Sequence, residues 1–166
     1  MDLDAYSETV RGELESLGFD AKTWVQARDG VYDVIIVGGG QSGMGAAFGL
    51  MRERVSNLLI IDENSRGQEG PWGTYARMIT LRTPKTLTSI DLGVPSLTFQ
   101  AYWTAQHGRS SWDAIDKIPR EDWLNYLNWY RDVLRLPVQN NTKLMEISPR
   151  ENGIYTLQTQ GPDGPK

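Results

Sequence analysis

Between Asp33 and Asp62 the chain runs apolar strand, glycine turn, small-residue helix, second apolar strand and acid, an order that few folds accommodate. Asp33-Val-Ile-Ile-Val37 is short, β-branched and almost wholly apolar, as expected for a strand buried on both faces of a parallel sheet. It gives way to Gly38-Gly39-Gly40-Gln41-Ser42-Gly43 and then to a small-residue helix, Met44 to Arg52. Leu58-Leu-Ile-Ile61 reads as the returning strand, closed by Asp62-Glu63. The whole is one βαβ unit, with the strand before and the helix after that a GxGxxG pattern needs to carry meaning.

Each glycine in that pattern has a physical task. Gly38 allows the tight turn out of the strand, Gly40 leaves the backbone open to a diphosphate, and Gly43 lets the helix close on the sheet. The first amides of the helix, at Gln41, Ser42 and Gly43, then face phosphate oxygens with the helix dipole behind them. Asp62 follows Gly43 by 19 residues, near the spacing at which an acid grips ribose hydroxyls, and Glu63 is the second candidate. An acid there disfavours a ribose 2′-phosphate, so an adenine dinucleotide without the extra phosphate is expected. Six glycines between residues 38 and 49 would weaken a helix for no return in an unliganded domain. Spacing does not separate FAD from NAD.

The flanking chain frames this unit. Leu3, Tyr6, Val10, Leu14 and Leu17 recur at helical spacing, predicting an amphipathic helix stopped by Gly18 and docked on the domain. Residues 19–31 read as a linker with Trp24 as an aromatic anchor, so 1–31 is set apart from a domain over 32–166. Residues 64–118 carry Gly67, Gly70, Pro71 and Gly73, and Pro95 to Gly108 reads as an irregular packed excursion. Pro119 opens a helix whose Trp123, Leu127, Tyr130 and Leu134 share one face, with Arg131 and Arg135 complementing its C-terminal dipole. Val138 begins a short strand. Strands over 142–148 and 154–160 are joined by Glu151-Asn152-Gly153, a hairpin signal, and 161–166 reads as a turn.

Composition narrows the chemistry. There is no cysteine among 166 residues, which removes disulfides, thiolate metal sites and a cysteine nucleophile from this chain. A single histidine, His107, argues against a histidine-built metal site or a histidine-dependent triad and is expected in a loop or core setting. The net charge is −4, and residues 1–20 hold six acids against one arginine. Without a basic field nucleic acid is not an expected partner. No apolar run reaches the roughly 18 residues of a membrane span. The N-terminus has no apolar signal segment, and the default compartment is the cytoplasm.

Val34 to Asp62 resembles the N-terminal FAD-binding motif of two-dinucleotide flavoproteins, and within them the flavin-containing monooxygenase and Baeyer–Villiger-like group. Gly70-Pro-Trp-Gly-Thr-Tyr75 is similar to the Gly-Gly-Thr-Trp segment of that group, with Pro71 in place of a glycine and Trp72 one position early. Thr80-Leu-Arg-Thr-Pro-Lys85, the Leu92-to-Pro95 turn and Asp116-Lys-Ile-Pro119 look like bacterial FAD-dependent oxidoreductases of the same class. The resemblance implies an α/β Rossmann-like FAD-binding domain, with a parallel sheet and an antiparallel hairpin. It implies an oxidoreductase in which NADPH reduces the flavin and one atom of oxygen passes to a small-molecule substrate. It also places adenine against the backbone of Leu144, within Asn141-Thr-Lys-Leu144.

A flavin ring needs apolar and aromatic cover beyond a phosphate turn, for which Trp72, Tyr75 and Met78 are candidates, Trp72 equally as a core residue. Arg66, Arg82 and Lys85 are candidate diphosphate or flavin contacts, each set against a solvated surface charge. The absence of cysteine over 64–80 disfavours a disulfide reductase of the glutathione-reductase kind. The family pattern continues with an Ala-Thr-Gly strand and a second glycine loop for NADPH, neither of which occurs here. The expectation is therefore the N-terminal part of a longer flavoenzyme, inactive alone, with NADPH bound through a region outside this chain. Two alternatives stay open: an NAD-dependent dehydrogenase domain, against which stands the want of a proton-transfer residue other than His107, and a non-catalytic dinucleotide-binding module.

Overall fold

Parallel strands at the centre follow directly from the two apolar runs: β1 (Val34–Val37) and β2 (Leu58–Ile61) pair in register from Val34 with Leu58 to Val37 with Ile61. The computed structural model describes residues 2–19, 23–87, 89–162 and 164–165. β3 (Val138–Gln139) adds parallel to the far side of β2, giving the order β1-β2-β3 with β2 in the middle. Ile60 and Ile61 are buried as a central strand requires. The crossover helix α2 spans Gln41–Arg52 and presses Met44, Ala47 and Phe48 onto the core.

The other helices pack on one another and on the same apolar core. α1 (Leu3–Ser16) is capped by Asp2, whose carboxylate accepts from the Asp4 amide, and buries Val10 and Leu14. Gly18, at φ +69°, ends the turn after it. α5 (Arg120–Val133) carries the expected apolar face and more: Trp123, Tyr126, Leu127, Trp129, Tyr130 and Val133 are all buried. Trp129 donates its indole N–H to Ser7 Oγ at 2.9 Å and stacks on Tyr6, which docks α1 on α5. Docking of the N-terminal helix is as expected. The linker prediction over residues 20–22 lies outside the described residues. Trp24 is 73% exposed, tethered only through its indole N–H to the Glu53 carbonyl, so it is no buried anchor.

The region read as an irregular excursion is mostly helical. A 3₁₀ turn at Pro95–Leu97 leads into α3 (Phe99–His107) and α4 (Arg109–Ala114). Thr98 caps α3 by accepting from the Ala101 amide, and Phe99, Tyr102 and Trp103 turn inward. Aromatics are mediocre helix formers, and it is their burial against Tyr126, Trp123 and Trp112 that decides the conformation. His107 ends α3, exposed and beside the Trp103 ring.

β4 (Lys143–Pro149) and β5 (Tyr155–Gly161) form the antiparallel hairpin, with Asn152 and Gly153 at positive φ in its turn. The closing segment does more than turn, since β6 (Gly164–Pro165) pairs with β5; residues 163 and 166 of that segment lie outside the described residues. No described residue of these three strands is buried.

Two tyrosine hydroxyls lock the helical layer. Tyr126 donates to the Leu97 carbonyl and Tyr130 to the Ile90 carbonyl, both at 2.6 Å and both buried. Burial, the dominant cause, drives both phenol pKa values well above the ordinary 10.0, and raises that of Tyr6 to about 12. Their stabilisation is complete below the unfolded-state value near pH 10 and is lost as pH climbs beyond it. Urea midpoints are expected to hold between pH 7 and 9 and to fall steeply from pH 10 to 12. Tyr130→Phe, which orphans the Ile90 carbonyl, is expected to cost about 1–2 kcal/mol at pH 7 by the same measurement.

Candidate nucleotide site

The site is built at the carboxyl ends of β1 and β2. Gly38, at φ +105°, turns the chain out of β1, and its amide donates to the Ile61 carbonyl. A Cβ placed on Gly43 would stand 1.9 Å from the Gly38 carbonyl oxygen, so only glycine lets α2 start where it does. Gly40 is the N-cap, without a capping side chain, and the first intrahelical bond runs from the Met44 amide to its carbonyl. The amides of Gln41, Ser42 and Gly43 precede that bond and have no intrahelical acceptor. Three N–H groups at a positive helix end, with no side chain capping it, suit a diphosphate.

Asp62 does something the spacing does not reveal. It is buried, and both oxygens are already used: Oδ2 accepts from the Gly39 amide at 2.7 Å, and Oδ1 from the Asn64 amide at 2.8 Å. The carboxylate thus ties the glycine loop to the end of β2. Glu63 stands exposed beside it, 3.2 Å from Lys143 Nζ. The turn after β2 is stitched to the chain before β4, because the Thr142 amide donates to the Asp62 carbonyl and the Asn141 amide to that of Asn64. Leu144 follows this stitch, half-buried at the start of β4 where the pairing register shifts. Gly38, Gly40, Gln41, Ser42, Gly43, Asp62, Glu63 and the Leu144 strand are therefore gathered at one end of the sheet.

A cavity of about 520 Å³ adjoins the start of α2. Gln41, Ser42 and Trp72 line it together with Leu81, Ile90 and Trp123. Trp72 meets Trp123 edge-on at 6.4 Å and borders the cavity as well as the core, which joins both readings of that residue. Trp123 also donates its indole N–H to Gln41 Oε1 at 3.2 Å, tying α5 to the glycine loop. Tyr75 is 76% exposed and does not line the cavity.

The three candidate cations fare differently. Arg82 is exposed and does not line the cavity, although Leu81 and Thr83 on either side do. Lys85 spends its ammonium on the carbonyls of Trp112 and Ile115 and lies over the Trp112 ring. Arg66 pairs with Asp132 at the surface. Two residues that spacing did not flag sit closer to the loop. Glu69 is buried and accepts from Arg131 at 2.8 Å, from Asn140 and from the Gly67 amide. Burial lowers the Arg131 pKa, while Glu69 draws it back up. Breaking one partner of such a pair typically costs about 3–5 kcal/mol. Sequence spacing marks Arg131 only as a dipole complement, and nothing in it joins that residue to Glu69.

Residues 35–161 match the FAD-NAD(P)-binding family. The chain is 60% identical over 162 residues to an FAD-dependent urate hydroxylase from Xanthomonas campestris, covering 95% of this chain and 34% of that protein. It therefore spans about a third of that relative's length. Among solved structures it is similar to a flavin monooxygenase from Stenotrophomonas maltophilia, with 25% identity and a TM-score of 0.58 over 80% of this chain and 34% of that one. A cadaverine monooxygenase from Erwinia amylovora, solved with FAD bound, shares the fold with a TM-score of 0.62 at 19% identity, over 83% of this chain and 33% of that one. These likenesses accord with the expected fold.

The two key glycines are separable. Gly43→Ala forces a methyl into the Gly38 carbonyl and is expected to cost more than about 4 kcal/mol, read as loss of cooperative unfolding. A Cβ at Gly40 would meet Gly70 Cα at 3.4 Å, an ordinary contact. Gly40→Ala is therefore expected to keep the wild-type melting temperature but to weaken FAD binding at least about tenfold, roughly 1.4 kcal/mol, in a fluorescence titration.

Proposed function

Because the chain belongs to the FAD-NAD(P)-binding family, we propose that it is the FAD-binding portion of an NAD(P)H-dependent flavin hydroxylase acting on urate or a closely related small heteroaromatic. The observation that carries this is the 60% identity to a urate hydroxylase across nearly the whole chain, glycine loop included. NAD(P)H and the substrate would engage parts of the protein beyond this chain. Within the described residues, no helix is long and apolar enough to cross a membrane. A cytoplasmic setting belongs to the same proposal and rests on composition.

In this reading the amides of Gln41, Ser42 and Gly43 bind the diphosphate, with Gly38 and Gly40 keeping the approach clear. Asp62 fixes the loop from beneath, and Glu63 is the carboxylate free to take ribose hydroxyls, competing with Lys143 for its charge. The Leu144 backbone borders adenine. Trp72 covers one side of the ring space and excludes water from it. Bound FAD supplies hydride acceptance and oxygen activation; the side chains of this portion hold and orient it. Arg82 is assigned at most a peripheral electrostatic role.

Purified protein carrying this chain is expected to show the flavin absorption band and to consume NADPH faster when urate is added. A colourless, nicotinamide-only protein would sink the reading, and stimulation by ornithine or cadaverine in place of urate would redirect the substrate. Glu63→Gln is expected to weaken FAD about 5–10-fold, roughly 1–1.4 kcal/mol, without shifting the melting temperature. Asp62→Asn is expected to lower the melting temperature as well, since it turns one of two buried oxygens, each accepting a backbone amide, into an NH2 donor.

A further inference from the structure

We infer that the buried Glu69–Arg131 pair is the positioning element of the diphosphate cradle, holding the glycine loop in its binding geometry before any ligand arrives. The inference rests on the FAD reading above. Arg131 reaches from the last turns of α5 in two directions: Nη1 to Glu69 and Asn140, and Nη2 to the Val138 carbonyl at 3.0 Å. It thereby clamps the turn after β2 to the start of β3. Gly39 is pressed against this clamp, since a Cβ there would stand 3.0 Å from Val138 Cγ1 and 3.3 Å from Glu69 Cγ. Next along the turn, Gly70 meets Gly40 backbone to backbone. Displacing Glu69 would free both Gly39 and Gly40, the two residues that lead into the phosphate-facing amides.

The rest of α5 acts in the same sense. Arg120, eleven residues or about three turns before Arg131, donates to the Trp72 carbonyl at 2.6 Å, so one helix face grips both ends of the 69–72 turn. The neighbouring pair Arg66–Asp132 supplies an internal contrast, for it is half exposed and, among the described residues, its two side chains hydrogen-bond only to each other. A buried ion pair is a poor route to stability compared with apolar packing of equal volume. What it offers at this place is fixed direction: two oxygens and two nitrogens can be satisfied together in one arrangement of loop, strand and helix.

The test compares Glu69→Gln and Arg131→Lys with wild type and with Asp132→Ala, by amide hydrogen exchange on ligand-free protein and by FAD titration. Both clamp variants are expected to speed exchange at Gly39, Gly40 and Gly70 at least tenfold and to raise the FAD Kd at least tenfold, while Asp132→Ala changes neither. Should Glu69→Gln fail to fold, Arg131→Lys, which keeps the charge but loses the second nitrogen, decides alone. Loop exchange and Kd within twofold of wild type in a folded variant would overturn the inference. The exchange arm needs no flavin, so a wild-type protein that ignores FAD would sink the preceding reading and leave exchange to judge this one.

Discussion

Helix α2 and strand β1 meet so closely at their junction that the Gly38 carbonyl lies where a side chain of residue 43 would begin. That approach sets the angle at which the helix leaves the sheet, and hence the direction of its unpaired amides. Everything the site can do to a diphosphate depends on it. Desolvated backbone dipoles cost nothing to reorganise once they point the right way. They are useless if the loop drifts, which is why so much of the surrounding structure is devoted to holding that loop still.

Three restraints converge on it from different parts of the chain. Asp62 holds it from the sheet, Glu69 flanks it from the following turn, and Trp123 reaches Gln41 from α5. α5 is thus both the main apolar slab of the domain and its scaffold for the ligand. The same helix buries Tyr126 and Tyr130 and also sends Trp123 to Gln41, Arg131 to Glu69 and Arg120 to the Trp72 carbonyl. Such economy lets a chain with two short parallel strands and a two-residue third one hold its glycine loop from three directions.

Local patterns were readable wherever the physics is local. The βαβ unit, α1, α5, the Val138 strand and the hairpin each declare themselves through periodicity and glycine or proline punctuation, and they stand where expected within two residues, except that α2 starts three residues earlier, at Gln41. α3 did not, because Phe99 and Tyr102 become helical through contacts with α5, about 25 residues away in sequence. The candidate site divides along the same line. Gly38 and Gly43 follow from backbone requirements that a motif encodes. The inward turn of Asp62, the burial of Glu69 and the diversion of Lys85 to two carbonyls are set by distant partners, and no spacing rule carries that information.

The hairpin sheet has a character of its own. Its three strands bury no described residue, and Met145, Ile147 and Tyr155 lie open to solvent on it. Cohesion there comes from ladder bonds and cross-strand pairs, which are individually small, whereas the helical layer is fastened by a continuous aromatic interior. The helical layer is accordingly the firmer part of the domain and the hairpin sheet the looser one. An open sheet of that kind answers to whatever covers it, while the aromatic interior keeps its form unaided.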